Sequence, residues 1–407
     1  MNILLSAYGC SPILGSEPGV GWRWASELSK RFSVTLLTHP FFLESIDAEL
    51  RKNPKPNLTV VYYEPSGLGI RRKRGSLNSR LYYMAWQAGA MLKARTLSRE
   101  HNFSLVHHIT WGTFRFPSFM GFLGIPFVMG PVGGGEKSPL RLLKTMPLKE
   151  QFREVFRNVF IAAASIDPLV RLCLAKADII LCKTDESAFA LPIGRGPKVM
   201  IAQEIGAPAS MRRQRKPGSA GAISLLYAGR LVGLKGVHFA IRAVALANAR
   251  GVEATLTIIG DGPLEQYLRA LSESLGLREK VFFKGFLPQQ ELLDCYQESE
   301  VFIFPSLHDS SGNVVVEALS RGLPVICLDL GGPKYFVNAA CARVIPSADV
   351  GVDQLCVLLA DRIVEMATDP DLRTAMSEAA FTKAETLGWE SQAFRAYDLI
   401  TSAGICK

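Results

Sequence analysis

A chain of 407 residues, 48% hydrophobic and 20% charged, is long enough for two separate cores and too apolar for a disordered or fibrous protein. Its formal charge of +9 at pH 7 suits phosphate-bearing ligands, nucleic acid or an anionic membrane surface and argues against cationic partners. No run reaches the roughly 18–20 uninterrupted apolar residues of a membrane span; the longest candidate, 116–132, is broken by Gly121, Gly124, Pro126, Gly130 and Pro131.

In chain order, MNILLSAYGC reads as a first strand, because it lacks the basic leader and long apolar core of a signal peptide. SPILGSEPGVGWRW sets Gly15, Gly19 and Gly21 between that strand and a helix through Trp24 to Leu28. Gly15 and Ser16 are candidates for a backbone cradle at a ligand, although the glycine spacing departs from a dinucleotide fingerprint. VTLLTH and LTVVYY follow as strands, and a long helix starts at about Asn78. From Arg71 to Arg99 the chain holds eight basic residues and no acidic one, interleaved with Leu77, Leu81, Tyr82, Tyr83, Met84 and Trp86. Such a segment either rests on an anionic bilayer or forms a core helix with a solvated basic face. LVHHIT and PFVMG are the next strands, then a glycine loop, a helical stretch around Leu148 to Ala177, and the strands DIILCK and KVMIAQ.

The polar, basic segment 207–221 reads as a linker. After it the rhythm restarts with ISLLYAG, ATLTIIG, VFFKGF, VFIFPS, PVICLD and ARVIP. The predicted architecture is two Rossmann-like doubly wound parallel-sheet domains: 1–206, a linker at 207–221, and 222–389, with a last helix at about 390–407 packing back on the first domain. Eight scattered cysteines without a Cys-x-x-Cys pair predict reduced, buried thiols in a cytoplasmic protein, with neither disulfides nor a zinc site. The D-x-D of TDPDLR is better explained by Asp369 as a helix cap before Pro370 than by a metal.

The chemistry concentrates in the second half. AGRLVGLKG puts Arg230 and Lys235 after a strand, with Gly229, Gly233 and Gly236 letting backbone approach a ligand, so two cations can neutralise a leaving diphosphate. PSLHDSSGNVVVEALSRGLP sets Asp309 and Glu317 eight positions apart across a strand-to-helix junction. The helix start beside Ser310, Ser311, Gly312 and Asn313 is a candidate anion site. The turns IIGDGP and FFKGFLP add Gly262, and Gly285 with Phe286 as a backbone edge for a nucleobase. Phosphate in the middle and hydroxyl-binding acids on either side describe a nucleotide sugar.

The order of GSEPGVGW, LVHHIT, PVGGGE, GRLVGLKG, GDGP, KGFLP and PSLHDSSGNVVVEALSRGLPV resembles the retaining glycosyltransferases of family 4, over nearly the whole chain. That resemblance implies the GT-B fold, with the two domains facing each other across a cleft. It also implies transfer of a sugar from an NDP-sugar, UDP favoured over GDP, to an acceptor hydroxyl with retention. Arg230 and Lys235 would be the cation pair, Asp309 would contact the transferred sugar and Glu317 the ribose. Asp309 is one methylene shorter than the glutamate usual there. A catalytic histidine would be His107 or His108; only one of two neighbours on a strand can face the cleft, and His108 is favoured. Gly134, Gly135 and Glu136 would shape the acceptor side. No cofactor or metal is expected, and the expected acceptor is a lipid-linked saccharide of a surface polysaccharide, at the inner face of the cell membrane. Two other classes fit less well: another NDP-sugar enzyme on the same fold, such as a 2-epimerase or an inverting transferase, and a basic nucleic-acid-binding protein, which lacks its aromatic-basic signature here.

Overall fold

The computed structural model describes residues 1–65, 77–116, 118–164, 166–193, 198–210 and 219–405. They form two compact units, Met1–Gly135 with Ile161–Ile205 and Trp389–Lys407, and Glu136–Phe160 with Gly206–Gly388. Where the sequence suggests an unbroken first domain to residue 206, the segment Glu136–Phe160 instead groups with the second unit. The predicted basic surface at Arg71, Arg72, Lys73 and Arg74 lies outside the described residues, as does most of the predicted linker.

In the first unit, strands β1 (Asn2–Ala7), β2 (Ser33–Thr38), β3 (Leu58–Tyr62), β4 (Leu105–Thr110), β5 (Phe127–Val132), β6 (Ile179–Cys182) and β7 (Val199–Ile201) form one parallel sheet in the order β3-β2-β1-β4-β5-β6-β7. The helices are α1 (Ser16–Leu28), α2 (Leu43–Lys52), α3 (Leu77–Glu100), the last four residues of α4 (Leu148–Ala164), the rest of which groups with the second unit, α5 (Pro168–Ala175) and α6 (Asp185–Ala190). The predicted helical stretch after β5 is thus two helices. Asp167 accepts from the Leu169 and Val170 N–H groups and Pro168 follows it, so α5 starts afresh there. Central strands of a covered parallel sheet bury both faces, which is why LLSA and LVHHIT are buried throughout.

That burial decides the two histidines. His107 points to one face, where its Nε2 donates to the Gly130 carbonyl at 2.7 Å and its Nδ1 accepts from the Tyr397 hydroxyl at 3.2 Å. His108 points to the other, its Nε2 3.1 Å from the Tyr83 hydroxyl and its Nδ1 3.1 Å from Ser6 Oγ. Burial lowers their pKa values from 6.5 to about 4 and about 3, so both are neutral at pH 7. Between those values and 6.5 the unfolded chain binds more protons than the folded one. The stability these groups supply is therefore complete above pH 6.5 and is lost as pH falls, by on the order of 1 kcal/mol per histidine per pH unit. All five tryptophans, Trp22, Trp24, Trp86, Trp111 and Trp389, sit in this unit, so urea unfolding followed by tryptophan fluorescence should show a lower midpoint at pH 5.5 than at pH 7.5. Equal midpoints would refute the assignment of both rings as buried and neutral.

The second unit has β8 (Ala222–Ala228), β9 (Glu253–Ile259), β10 (Val281–Gly285), β11 (Val301–Phe304), β12 (Val325–Leu328) and β13 (Ala342–Ile345), parallel, in the order β10-β9-β8-β11-β12-β13. Its helices are α7 (Val237–Ala249), α8 (Glu265–Ser274), α9 (Gln289–Glu298), α10 (Asn313–Ser320), α11 (Pro333–Phe336), α12 (Val352–Thr368) and α13 (Pro370–Glu385). Asp369 caps α13, accepting from Leu372 N–H at 2.8 Å. The strand order reverses between β8 and β11, so the loops at their carboxyl ends diverge and leave room for a ligand. The segment Glu136–Phe160 is tied to this unit by Tyr267, whose hydroxyl donates to the Thr145 carbonyl at 2.7 Å, and by Arg141, which donates to the Ser347 carbonyl at 3.1 Å.

The last helix, α14 (Trp389–Ser402), belongs to the first unit. There Tyr397 stacks on Phe32 and Phe394 lies 3.6 Å beneath the Arg31 guanidinium. The seven described cysteines are buried and free. Among the described residues no single helix is long and apolar enough to cross a membrane, and no cluster of three His, Cys, Asp or Glu side chains could hold a metal ion.

Candidate active site

Two loops of the second unit meet at the switch point. The first, from Gly229 to Gly236, follows β8; the second, Pro305 to Gly312, follows β11. They touch at Gly236, which has φ 69° and so little room that a Cβ would fall 1.9 Å from the Pro305 carbonyl oxygen. The Leu307 N–H donates to the Leu234 carbonyl at 2.8 Å and locks the loops together.

That contact brings Lys235 to Asp309, with Nζ and Oδ2 2.5 Å apart and both side chains mostly buried. The Lys235 ammonium also lies 5.4 Å over the Phe304 ring. The other Asp309 oxygen accepts from the N–H groups of Ser311, at 3.0 Å, and Gly312, at 2.8 Å. Burial alone would raise the Asp309 pKa, but Lys235 and these two N–H groups outweigh it and hold the carboxyl below its ordinary value. The sequence pattern offers those N–H groups to an anion; the structure spends them on Asp309. A short aspartate folds back on its own loop as an Asx turn, which a longer glutamate would do less readily. What remains for an anion at this end of α10 is the first turn from Asn313, an exposed residue, with Gly312 as N-cap at φ 72°.

Glu317 lies a turn and a half into α10, half-buried, with Oε2 3.4 Å from the Tyr296 hydroxyl. Burial raises its pKa, opposed by the Tyr296 hydrogen bond and the Arg321 charge. Arg230 is exposed, five positions before Lys235 on the same loop. The turn at Gly262 braces that loop from below: Leu231 N–H donates to the Asp261 carbonyl at 2.7 Å, and Leu264 N–H to the Leu231 carbonyl at 3.1 Å. Gly262 is thus a support of the loop. Gly285 joins the same row through its carbonyl, which accepts from Gly260 N–H at 2.8 Å, and the next residue, Phe286, is 76% exposed.

The other predicted site residues divide between the two units. Gly15 and Ser16 are exposed at the start of α1 in the first unit. His107 and His108, one of which the resemblance expects to face a cleft, are both interior residues of that unit, at 0% and 1% exposure. Gly134 and Gly135 pack in the first unit, where Gly135 N–H donates to Ser187 Oγ at 3.1 Å. Glu136 is buried and belongs to the second unit, where its charge acts on His308, the neighbour of Asp309. Burial, before the charges of Arg157, Glu136, Lys235 and Asp309, sets the His308 pKa at about 4. Ser310 lies in the loop between Asp309 and α10, where its carbonyl packs on Gly332.

Several supports were not legible beforehand. Glu150 accepts from Gly233 N–H at 3.3 Å from more than eighty residues away, a contact that no local pattern signals. Gly332 N–H donates to the Asp309 carbonyl at 2.7 Å, and its Gly-Gly-Pro context was the available clue. Tyr296 had none. In the first unit Lys183 pairs with Glu204 at 2.6 Å in the interior, which gives that glutamate a structural partner.

Known proteins resemble this chain in sequence over the second unit and in fold over nearly its whole length. Residues 212–383 match the family of glycosyl transferases group 1. An alpha-D-kanosaminyltransferase of Streptomyces kanamyceticus is 29% identical over 157 residues, 38% of this chain and 39% of its own length. A D-inositol 3-phosphate glycosyltransferase of Streptomyces coelicolor is 29% identical over 188 residues, 44% of this chain and 40% of its own. The chain spans less than half the length of such curated relatives. Across 99% of the chain the fold matches Anabaena Alr3699/HepE, solved with UDP, over all of that protein, with 15% identity and a TM-score of 0.61. It matches the lipopolysaccharide outer core galactosyltransferase WaaB over 99% of both chains, with 13% identity and the same TM-score. The fold is therefore that of the GT-B glycosyltransferases. Its second unit carries the glycosyl transferases group 1 region.

Proposed function

We propose that this protein transfers a sugar from a nucleoside-diphosphate sugar to an acceptor hydroxyl, with retention at the anomeric carbon. The observation that carries the reading is the Lys235–Asp309 pair held at the switch point beside the start of α10. The bond between the anomeric carbon and the diphosphate oxygen breaks, the electron pair stays on that oxygen, and Lys235 and Arg230 offset the growing charge. Asp309 holds the Lys235 side chain aimed before it meets any sugar. The acceptor oxygen bonds to the anomeric carbon on the face the diphosphate leaves, and its proton goes to the departing phosphate. In this reading Glu317 binds the ribose hydroxyls, and the backbone of Gly285 and Phe286 meets the nucleobase edge. UDP is the favoured carrier, consistent with the UDP held by the Anabaena protein of the same fold. The acceptor we propose is a lipid-linked saccharide, with the protein working at the cytoplasmic face of a membrane.

A thermal-shift series with UDP, GDP and ADP tests the donor side. A ligand that binds only the folded protein raises Tm, by the equivalent of about 2.7 kcal/mol at a hundredfold excess over Kd. UDP should give the largest shift and lose it in Glu317→Ala. Equal small shifts for all three, or none, would count against the reading.

A further inference from the structure

Helix α4 is packed inside out. At about 100° per residue, Leu148, Phe152, Val155, Phe156 and Val159 fall on one stripe, which a surface helix of a soluble protein turns inward. Here the stripe faces out: Leu148 is 71% exposed, Phe152 72%, Phe156 72% and Val159 60%. The opposite face, which is polar, is the buried one. Glu150 accepts from Gly233 N–H, and Glu154 is paired with Arg157 and accepts from Ser138 Oγ. Several large exposed apolar side chains on one helix are unusual for a surface that meets only water.

The charges around the stripe identify what covers it. Both acids within Glu136–Phe160 that lie on α4 are buried; Lys149 is exposed at its edge, as is Arg153, which pairs with Glu150 at 3.3 Å, and Lys144 is exposed just before it. A second copy of this chain would set like charges against one another. An anionic surface would complement them. The helix has 17 residues, about 25 Å of length, and too many charges to cross a bilayer, so it suits lying in the plane of the headgroups. We propose that the outward face of α4 inserts into the interface of an anionic lipid leaflet. The proposal does not depend on the transfer reaction being as described above.

The test is flotation of the full chain with vesicles of phosphatidylcholine alone or with 30% phosphatidylglycerol, a composition chosen as probe. The protein should float with the anionic vesicles at low salt, and at least tenfold less with the neutral ones. Phe152→Glu with Phe156→Glu should cut flotation by at least tenfold while leaving the Tm and the UDP-induced shift unchanged. Phe156→Cys in a Cys406→Ser background, labelled with a polarity-sensitive dye, gives a reading that needs no disruptive change, since the other cysteines are buried. Its emission should move to shorter wavelength on adding anionic vesicles. No shift, flotation that survives the double substitution, or a wild-type dimer that the double substitution splits without any vesicle binding, would each overturn the proposal.

Discussion

Lys235→Ala should lower turnover by at least a hundredfold in a protein that still folds. A preorganised cation at a departing diphosphate typically contributes about 3 kcal/mol to the barrier, and that is about a hundredfold in rate. The position is unforgiving because the ammonium is fixed from two sides, by Asp309 at 2.5 Å and by the Phe304 ring. Removing it also leaves the buried Asp309 carboxylate without its cation, so its pKa should rise. A second variant separates chemistry from folding. Lys235→Met with Asp309→Asn removes both charges together, which spares the protein an unpaired buried carboxylate. Should that double variant melt like wild type and remain at least a hundredfold slow, the loss is chemical. Wild-type turnover in either variant would remove Lys235 from the mechanism.

Gly236→Ala should destabilise the second unit by about 2–4 kcal/mol and displace the loop that carries Asp309. Left-handed backbone costs a residue with a Cβ roughly 1–2 kcal/mol, and here the methyl would also overlap the Pro305 carbonyl, 1.9 Å from its ideal position. Gly251 supplies the control. It has φ 87° with nothing within 4 Å of an added Cβ, so Gly251→Ala should show the backbone cost alone. Calorimetry of both variants measures the difference, and equal melting temperatures would mean that the two loops are not in the contact described. Donor binding should fall in Gly236→Ala and stay unchanged in Gly251→Ala.

Much of the fold is legible in the sequence because parallel strands buried on both faces must be continuous apolar runs, and LLSA, VTLLT, LLYA and VFIF are such runs. The cation loop and the Asp309 loop are legible for a related reason: each follows such a run at once and is built of turn residues. What escapes is whatever depends on distance through space. A strand written LVHHIT shows that its neighbours alternate, but only the burial of all six residues shows that neither face is open. The pairing of Glu150 with Gly233 needs the chain to bring residues 136–160 to the second sheet, which no periodicity announces. Periodicity likewise shows that α4 has an apolar stripe and is silent about which way it turns.

The path of the chain has a bearing on how the protein is made. Because α14 supplies Tyr397 to His107, Phe394 to Arg31 and Glu390 to Lys30, the N-terminal sheet lacks part of its cover until the last helix leaves the ribosome. The second unit is complete some way earlier, at Gly388. Synthesis from the N-terminus therefore does not set the order of maturation here: the later-made unit has all its segments by Gly388, and the earlier-made one waits for α14.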